Sequence, residues 1–338
     1  MDLGTFISNL IQQIAALFGG GTSQIIPQPQ PPQEPVGQPP KPVTLKVLLI
    51  VYNPTVPSQN NRKLSEVLGW NDPDNLAQAF ISDLQNTSYG YAIYTIAERI
   101  EANRFPIKSD GFAYAPDDYV QCIRTQTGFH QPDAVNYQLI LNDFNIVSKI
   151  NDGSIDEVWM MGFPYAGFNE SRMGGPGAFF CNGDVIPNVP TGRRFIMMGF
   201  SYERGVGEMF ESYAHRSESI MLQVYRNTTG AANLWQTFNL YDVVSPGNAE
   251  VGTVHFAPNS QRDYDWGNTR YVFSRCSNWY AFPDLSGQPI SVNCSEWGNG
   301  DIRLHHIWWL RHFPHITGES TMISYNWWKY VVDPNNVR

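Results

Sequence analysis

Four residues near the middle of the chain, Glu208, Glu211, His215 and Glu218, recur at i, i+3, i+7 and i+10. On an α-helix that spacing confines them to roughly 80° of one face. Carboxylate oxygens beside an imidazole nitrogen form a donor set for Zn²⁺ or a harder divalent ion. The pattern is not HExxH, so no metalloprotease motif is implied. The competing reading is the solvated side of an amphipathic helix, with Arg204 and Glu208 paired at i, i+4. Gly205 and Gly207 cost a helix roughly 1 kcal/mol each against Ala, which points to close packing or ligand approach near its start. Further ligands are available from His305 and His306 in an apolar stretch from Leu304 to Pro314. If that segment is a buried helix lying against the first, Glu211, His215, His305 and His306 make a metal set with a position open to water. Without an ion they can still form a Glu–His acid–base pair. A buried histidine with an ordinary hydrogen-bond partner is the plainer alternative.

These residues need elements to hold them. Leu45–Tyr52 is a near-continuous apolar run, as in a strand buried on both faces. Further strands are expected at 91–97, 155–161 and 194–199. Helices are expected from Asp72 to about Leu84, from Pro132 to Ile150, from about Tyr202 to Arg226 under a Ser201 cap, and from Asp301 to His312. This alternation predicts an α/β fold, a mostly parallel open sheet with flanking helices. From Asn227 the character changes, with eight of the ten tryptophans and five of the seven histidines among many Asn and Gly. We read 227–338 as a Trp/His-rich, loop-rich lobe packed on a 44–226 core.

In open parallel sheets ligands bind beyond the carboxyl ends of the strands. Those ends bring Asn53, the run from Tyr165 to Arg172 with Glu170, and Glu203 with Arg204. Glu203 and Glu170 are candidate general bases, and Arg204 is a candidate catalytic residue with them; surface ion pairs on turns are the alternative. Asn53, Tyr165, Asp265, Trp266 and Trp297 are candidate substrate contacts. Aromatic faces stack on sugar rings while carboxylates and amides bond their hydroxyls. Trp as core filler is the other explanation.

Residues 1–20 carry an apolar stripe, Ile7, Leu10, Ile11, Ile14, Leu17 and Phe18, at helical spacing. They lack the basic start of a standard signal peptide. Residues 21–43 are a Pro/Gln-rich linker holding eight of 24 prolines. A short amphipathic helix on such a tether suits docking to a scaffold, shell or surface, in an extracellular or particulate assembly.

The 338 residues carry 22 basic and 31 acidic side chains, net -9, which argues against nucleic-acid binding. No run reaches the length of a transmembrane helix. Four cysteines form no CxxC pair; Cys276 and Cys294 are the first candidates for a bridge, with four buried thiols as the alternative. Two functions follow as expectations. One is a metal-assisted hydrolase, with zinc as the candidate ion, acting on a polar polymer, glycan or peptide. The other is a non-enzymatic aromatic-rich binding or structural protein displayed through its N-terminal helix.

Overall fold

The computed structural model describes residues 37–338, so the expected docking helix at 1–20 and most of the linker lie outside the described residues. Strand β1 (Val43–Tyr52) is the apolar run, and its last six residues are buried. On one side it pairs in parallel with β2 (Ala92–Ala102), reached through α1 (Pro73–Thr87). On the other it pairs in parallel with β3 (Glu157–Gly162), with Leu49 opposite Trp159. Strand β5 (Phe195–Ser201) continues in parallel from β3, and β4 (Ser171–Gly174) closes that edge antiparallel. The order β2-β1-β3-β5-β4 is the expected mostly parallel sheet. Small antiparallel pairs, 272–274 with 290–292 and 315–320 with 323–326, decorate the C-terminal region. The chain runs from β1 to β2 on one side and from β3 toward β4 and β5 on the other, so the switch point between β1 and β3 is where a crevice is expected at the carboxyl ends of the strands.

Helix α1 starts as its sequence requires: the Asp72 side chain accepts from the Asn75 N–H at 2.8 Å, with Pro73 at the first position. The single helix expected from Pro132 is two, α2 (Tyr137–Asp143) and α3 (Ile146–Asn151). Asn136 caps the first, and Asn145 in the left-handed region (φ +52°) breaks the run. Helix α4 (Val206–Tyr225) begins later than the Ser201 cap predicts. Ser201 still belongs to β5, residues 202–204 make a turn closed by Arg204 N–H to the Ser201 carbonyl at 3.1 Å, and the Glu208 carboxylate accepts from the Gly205 N–H at 3.0 Å. Glu208 therefore caps its own helix instead of pairing with Arg204. Helix α5 (Ile302–Arg311) is capped by Asp301 as expected.

The α4–α5 contact is set by glycine. A Cβ on Gly207 would lie 2.5 Å from Ile302 Cγ2, so only a missing side chain lets the helices approach this closely. The aromatic residues of the C-terminal lobe, Trp235, Phe238, Trp279, Trp309, Phe313 and Trp327, pack edge to face and belong to the same buried cluster as the sheet. No bridge joins Cys276 to Cys294: all four cysteines are free thiols. Cys294 turns its sulfur toward Asn299 Oδ1 at 3.6 Å, and burial raises the Cys276 thiol pKa to about 12. No described helix is long and apolar enough to cross a membrane.

Candidate metal centre and adjoining cleft

Helix α4 is not half-solvated. Glu211 and His215 are buried, 7% and 3% exposed, on the side turned toward a loop of the C-terminal lobe. That loop delivers His255, and the ligand-capable atoms of Glu211, His215 and His255 lie within 4.8 Å of one another. The three can hold a metal ion. His255 Nε2 is 2.9 Å from His215 Nε2 and 3.3 Å from Glu211 Oε1. Each imidazole has a carboxylate behind it: His215 Nδ1 meets Glu218 Oε2 at 2.9 Å, and His255 Nδ1 meets Asp263 Oδ1 at 2.9 Å. Glu218 is itself fixed by the Val254 N–H at 3.2 Å. A carboxylate on Nδ1 sets the tautomer whose Nε2 lone pair points inward, the arrangement metal-binding histidines use.

The electrostatics suit a cation-binding set. Burial works against a charged His215, but the hydrogen bond and charge of Glu218, with Glu170 and Glu211 nearby, raise its pKa to about 9. Burial would raise the Glu211 carboxyl, but hydrogen bonds from His255 and Tyr264, then the charges of His306 and His215, bring it down to about 2. Burial and the Glu211 charge push the Tyr264 phenol upward, so it stays a donor.

His306 sits beside this set. Its Nδ1–H donates to the Ile302 carbonyl at 2.7 Å, and its buried Nε2 has no partner among the described residues. Burial lowers its pKa to about 4 despite the charge of Glu211, leaving the imidazole neutral. His305 points elsewhere: it stacks on Trp266 at 4.9 Å with both nitrogens unpaired among the described residues. The structure therefore brings His255, not His305, to Glu211 and His215, with His306 as a neighbour. Sequence periodicity has no hold on His255, because it lies in a loop rich in Asn and aromatic residues.

Beyond the carboxyl ends of β3 and β5 lies a cavity of about 220 Å³. Glu170, Glu203, Arg204 and Tyr165 line it, as the strand-end rule expects, together with Glu208 and Ser212 of α4. Glu170 accepts from the Asn182 side chain and acts electrostatically on His215 and Tyr264, which ties the cavity to the cluster. Arg204 is exposed, with Glu203 3.9 Å away. Tyr165 holds a left-handed backbone (φ +59°), its ring stacked on Phe129 at 3.7 Å. The buried Lys108 ammonium donates to the Tyr165 carbonyl and to Asp133 Oδ1, both at 2.6 Å, and so fixes this loop.

The remaining candidates do not reach the cavity. Asn53 is buried and makes two bonds to Ser65, at 2.9 and 3.1 Å, which hold the chain after β1. Trp297 is 1% exposed, and its Nε1–H donates to the Trp266 carbonyl at 2.7 Å. Trp266 is nearly as buried, and Asp265 accepts from the Gln261 N–H and the Asn268 side chain to close its own loop. These three build the lobe and leave no open face for a sugar ring. No family model, curated protein or solved structure matches this chain.

Proposed function

We propose that the protein is a metal-assisted hydrolase of a polar polymer, glycan or peptide, with its ion held by Glu211, His215 and His255. The observation that carries this reading is the double carboxylate backing: both imidazoles turn their Nε2 atoms to one point shared with Glu211 Oε1. Two imidazoles and one carboxylate favour zinc, and three protein ligands leave the fourth tetrahedral position free. An ion there would lower the pKa of a coordinated water and polarise the substrate oxygen. Glu170, on the cavity wall and within electrostatic reach of His215, is the general base that takes the water proton and returns it to the departing group. Glu203 and Arg204 at the cavity, with the Tyr165–Phe129 pair, contact the polymer chain.

The test is elemental analysis of purified protein, followed by release assays on labelled glycan and peptide polymers with and without chelator. About one ion per chain and chelator-sensitive cleavage are expected. Protein that carries no metal, and whose melting is unmoved by Zn²⁺ or chelator, would overturn the proposal.

A further inference from the structure

Tyr264 occupies an unusual position over this cluster. Its backbone lies in the left-handed region (φ +55°), which a bulky residue rarely adopts unless its surroundings hold it there. The ring is pinned between His255, at 4.3 Å between centroids, and Trp266, at 5.1 Å. The phenol is hydrogen-bonded to the buried Glu211, yet the residue is 52% exposed. The other sides of the cluster are occupied: Glu218 and the Val254 backbone lie behind His215, Asp263 lies behind His255, and helix α5 packs on α4. Tyr264, with the exposed Asp263 beside it, thus stands between the cluster and solvent.

We infer that Tyr264 is a catalytic residue whose phenolic O–H, turned from Glu211 once an ion takes that carboxylate, donates to the substrate oxygen on which charge develops, and that the scissile group is a carbonyl, the amide or ester of a peptide-like polymer. This rests on the metal-assisted hydrolase reading and narrows it. An ion held by Glu211, His215 and His255 would polarise the substrate oxygen, and a neutral hydrogen-bond donor beside it would add to the stabilisation of a developing oxyanion. Carbonyl addition creates that oxyanion: the water oxygen bonds to the carbonyl carbon and the π pair moves onto oxygen, where the phenol hydrogen-bonds it without losing its proton. The pair then returns, the C–N or C–O bond breaks, and the water proton held by Glu170 passes to the leaving nitrogen or oxygen. Glycoside cleavage instead develops positive charge on the sugar and needs an acid that hands a full proton to the leaving oxygen, whereas a hydrogen bond that keeps its proton suits a carbonyl oxyanion.

Phenylphosphonate, a stable tetrahedral oxyanion, probes this without knowledge of the substrate. The full chain and its Tyr264→Phe variant, which keeps the ring on His255, are loaded with Co²⁺ and titrated with phenylphosphonate by visible absorption. Wild type should bind the probe, and Y264F should bind it about tenfold or more weakly with unchanged Co²⁺ affinity. Equal phosphonate affinity in the two proteins, no phosphonate binding to cobalt-loaded wild type, or a loss confined to Co²⁺ affinity would overturn the inference; the last would make Tyr264 a positioning residue for Glu211. Failure of wild type to bind Co²⁺ would instead sink the underlying metal reading.

Discussion

Replacing His255 by alanine separates an ion-binding cluster from a structural hydrogen-bond network. His255 lies on a loop, 11% exposed at its side chain, and its polar contacts are confined to Glu211, His215 and Asp263. Without metal, its removal costs its contacts with His215, Glu211 and Asp263, together about 1 to 2 kcal/mol. With metal the difference is larger. Free Zn²⁺ at a hundred times Kd stabilises the native state by about 2.7 kcal/mol. At about 2.1 cal/mol/K of unfolding entropy per residue, 1 kcal/mol moves the Tm of a chain of this size by roughly 1.5 °C, so wild type should gain about 4 °C on adding Zn²⁺. His255→Ala should start only slightly lower and gain almost nothing. Differential scanning fluorimetry at matched free Zn²⁺ reads both numbers. A variant that gains as much as wild type refutes the assignment of His255, and a wild type that gains nothing refutes the centre.

Three further outcomes follow from buried groups. Burial raises the Glu250 carboxyl to about 7 against a hydrogen bond from Trp279 Nε1 at 3.0 Å, so the folded state holds a proton the unfolded state releases. Stability should therefore fall by roughly 3 kcal/mol as pH rises from 4.5 to about 8, and Glu250→Gln should flatten that fall in denaturant titrations. His312 is the opposite case: burial lowers its pKa to about 3 although its Nδ1–H donates to the Trp308 carbonyl at 2.7 Å. The unfolded chain protonates it first, so stability should drop as pH falls below 6.5, with a slope up to one proton shallower in His312→Gln. Gly207→Ala gains about 1 kcal/mol of helix propensity but forces a methyl to 2.5 Å from Ile302 Cγ2, an overpacking cost of about 1 to 3 kcal/mol. A lower Tm is expected, and a variant stabilised by the full propensity gain would contradict the close α4–α5 packing.

The centre of the sheet was legible because its strands there are buried on both faces. Val47–Tyr52 and Glu157–Gly162 have no solvent side, so their sequences read as continuous apolar runs. Helix limits were less so, because single side chains decide them. Asn145 in a left-handed conformation splits α2 from α3, and Glu208 moves the start of α4 past the Ser201 turn. Glu211 and His215 stood out by helical spacing. The third member did not, since nothing in the spacing of a loop residue says which helix it will meet. Trp266 and Trp297 misled for a related reason: a large aromatic suits a sugar cleft and a core equally, and burial decides between them.

Orientation of α4 about its own axis determines whether the cluster exists, and the residue after His215 sets it. Arg216 is fully buried, its guanidinium paired with Glu157 of β3 and donating to the Val331 carbonyl at 2.7 Å. Glu157 also accepts from Trp159 Nε1 at 2.7 Å, so sheet, helix and C-terminal segment share one polar junction. Such a pair adds little net stability over apolar packing, but losing one partner strands the other charge. Its geometric effect is specific. With position 216 fixed on the sheet side, the next residue back, about 100° around the helix, faces the lobe, and position 211 lies within roughly 40° of it. Met209, Tyr213 and Ile220 bury the sheet side, while Glu211, His215 and Glu218 meet the 254–264 loop. The α/β layer thus supplies two members of the cluster and their bearing, and the aromatic lobe supplies the third together with Asp263 and Tyr264. Neither part carries the centre alone.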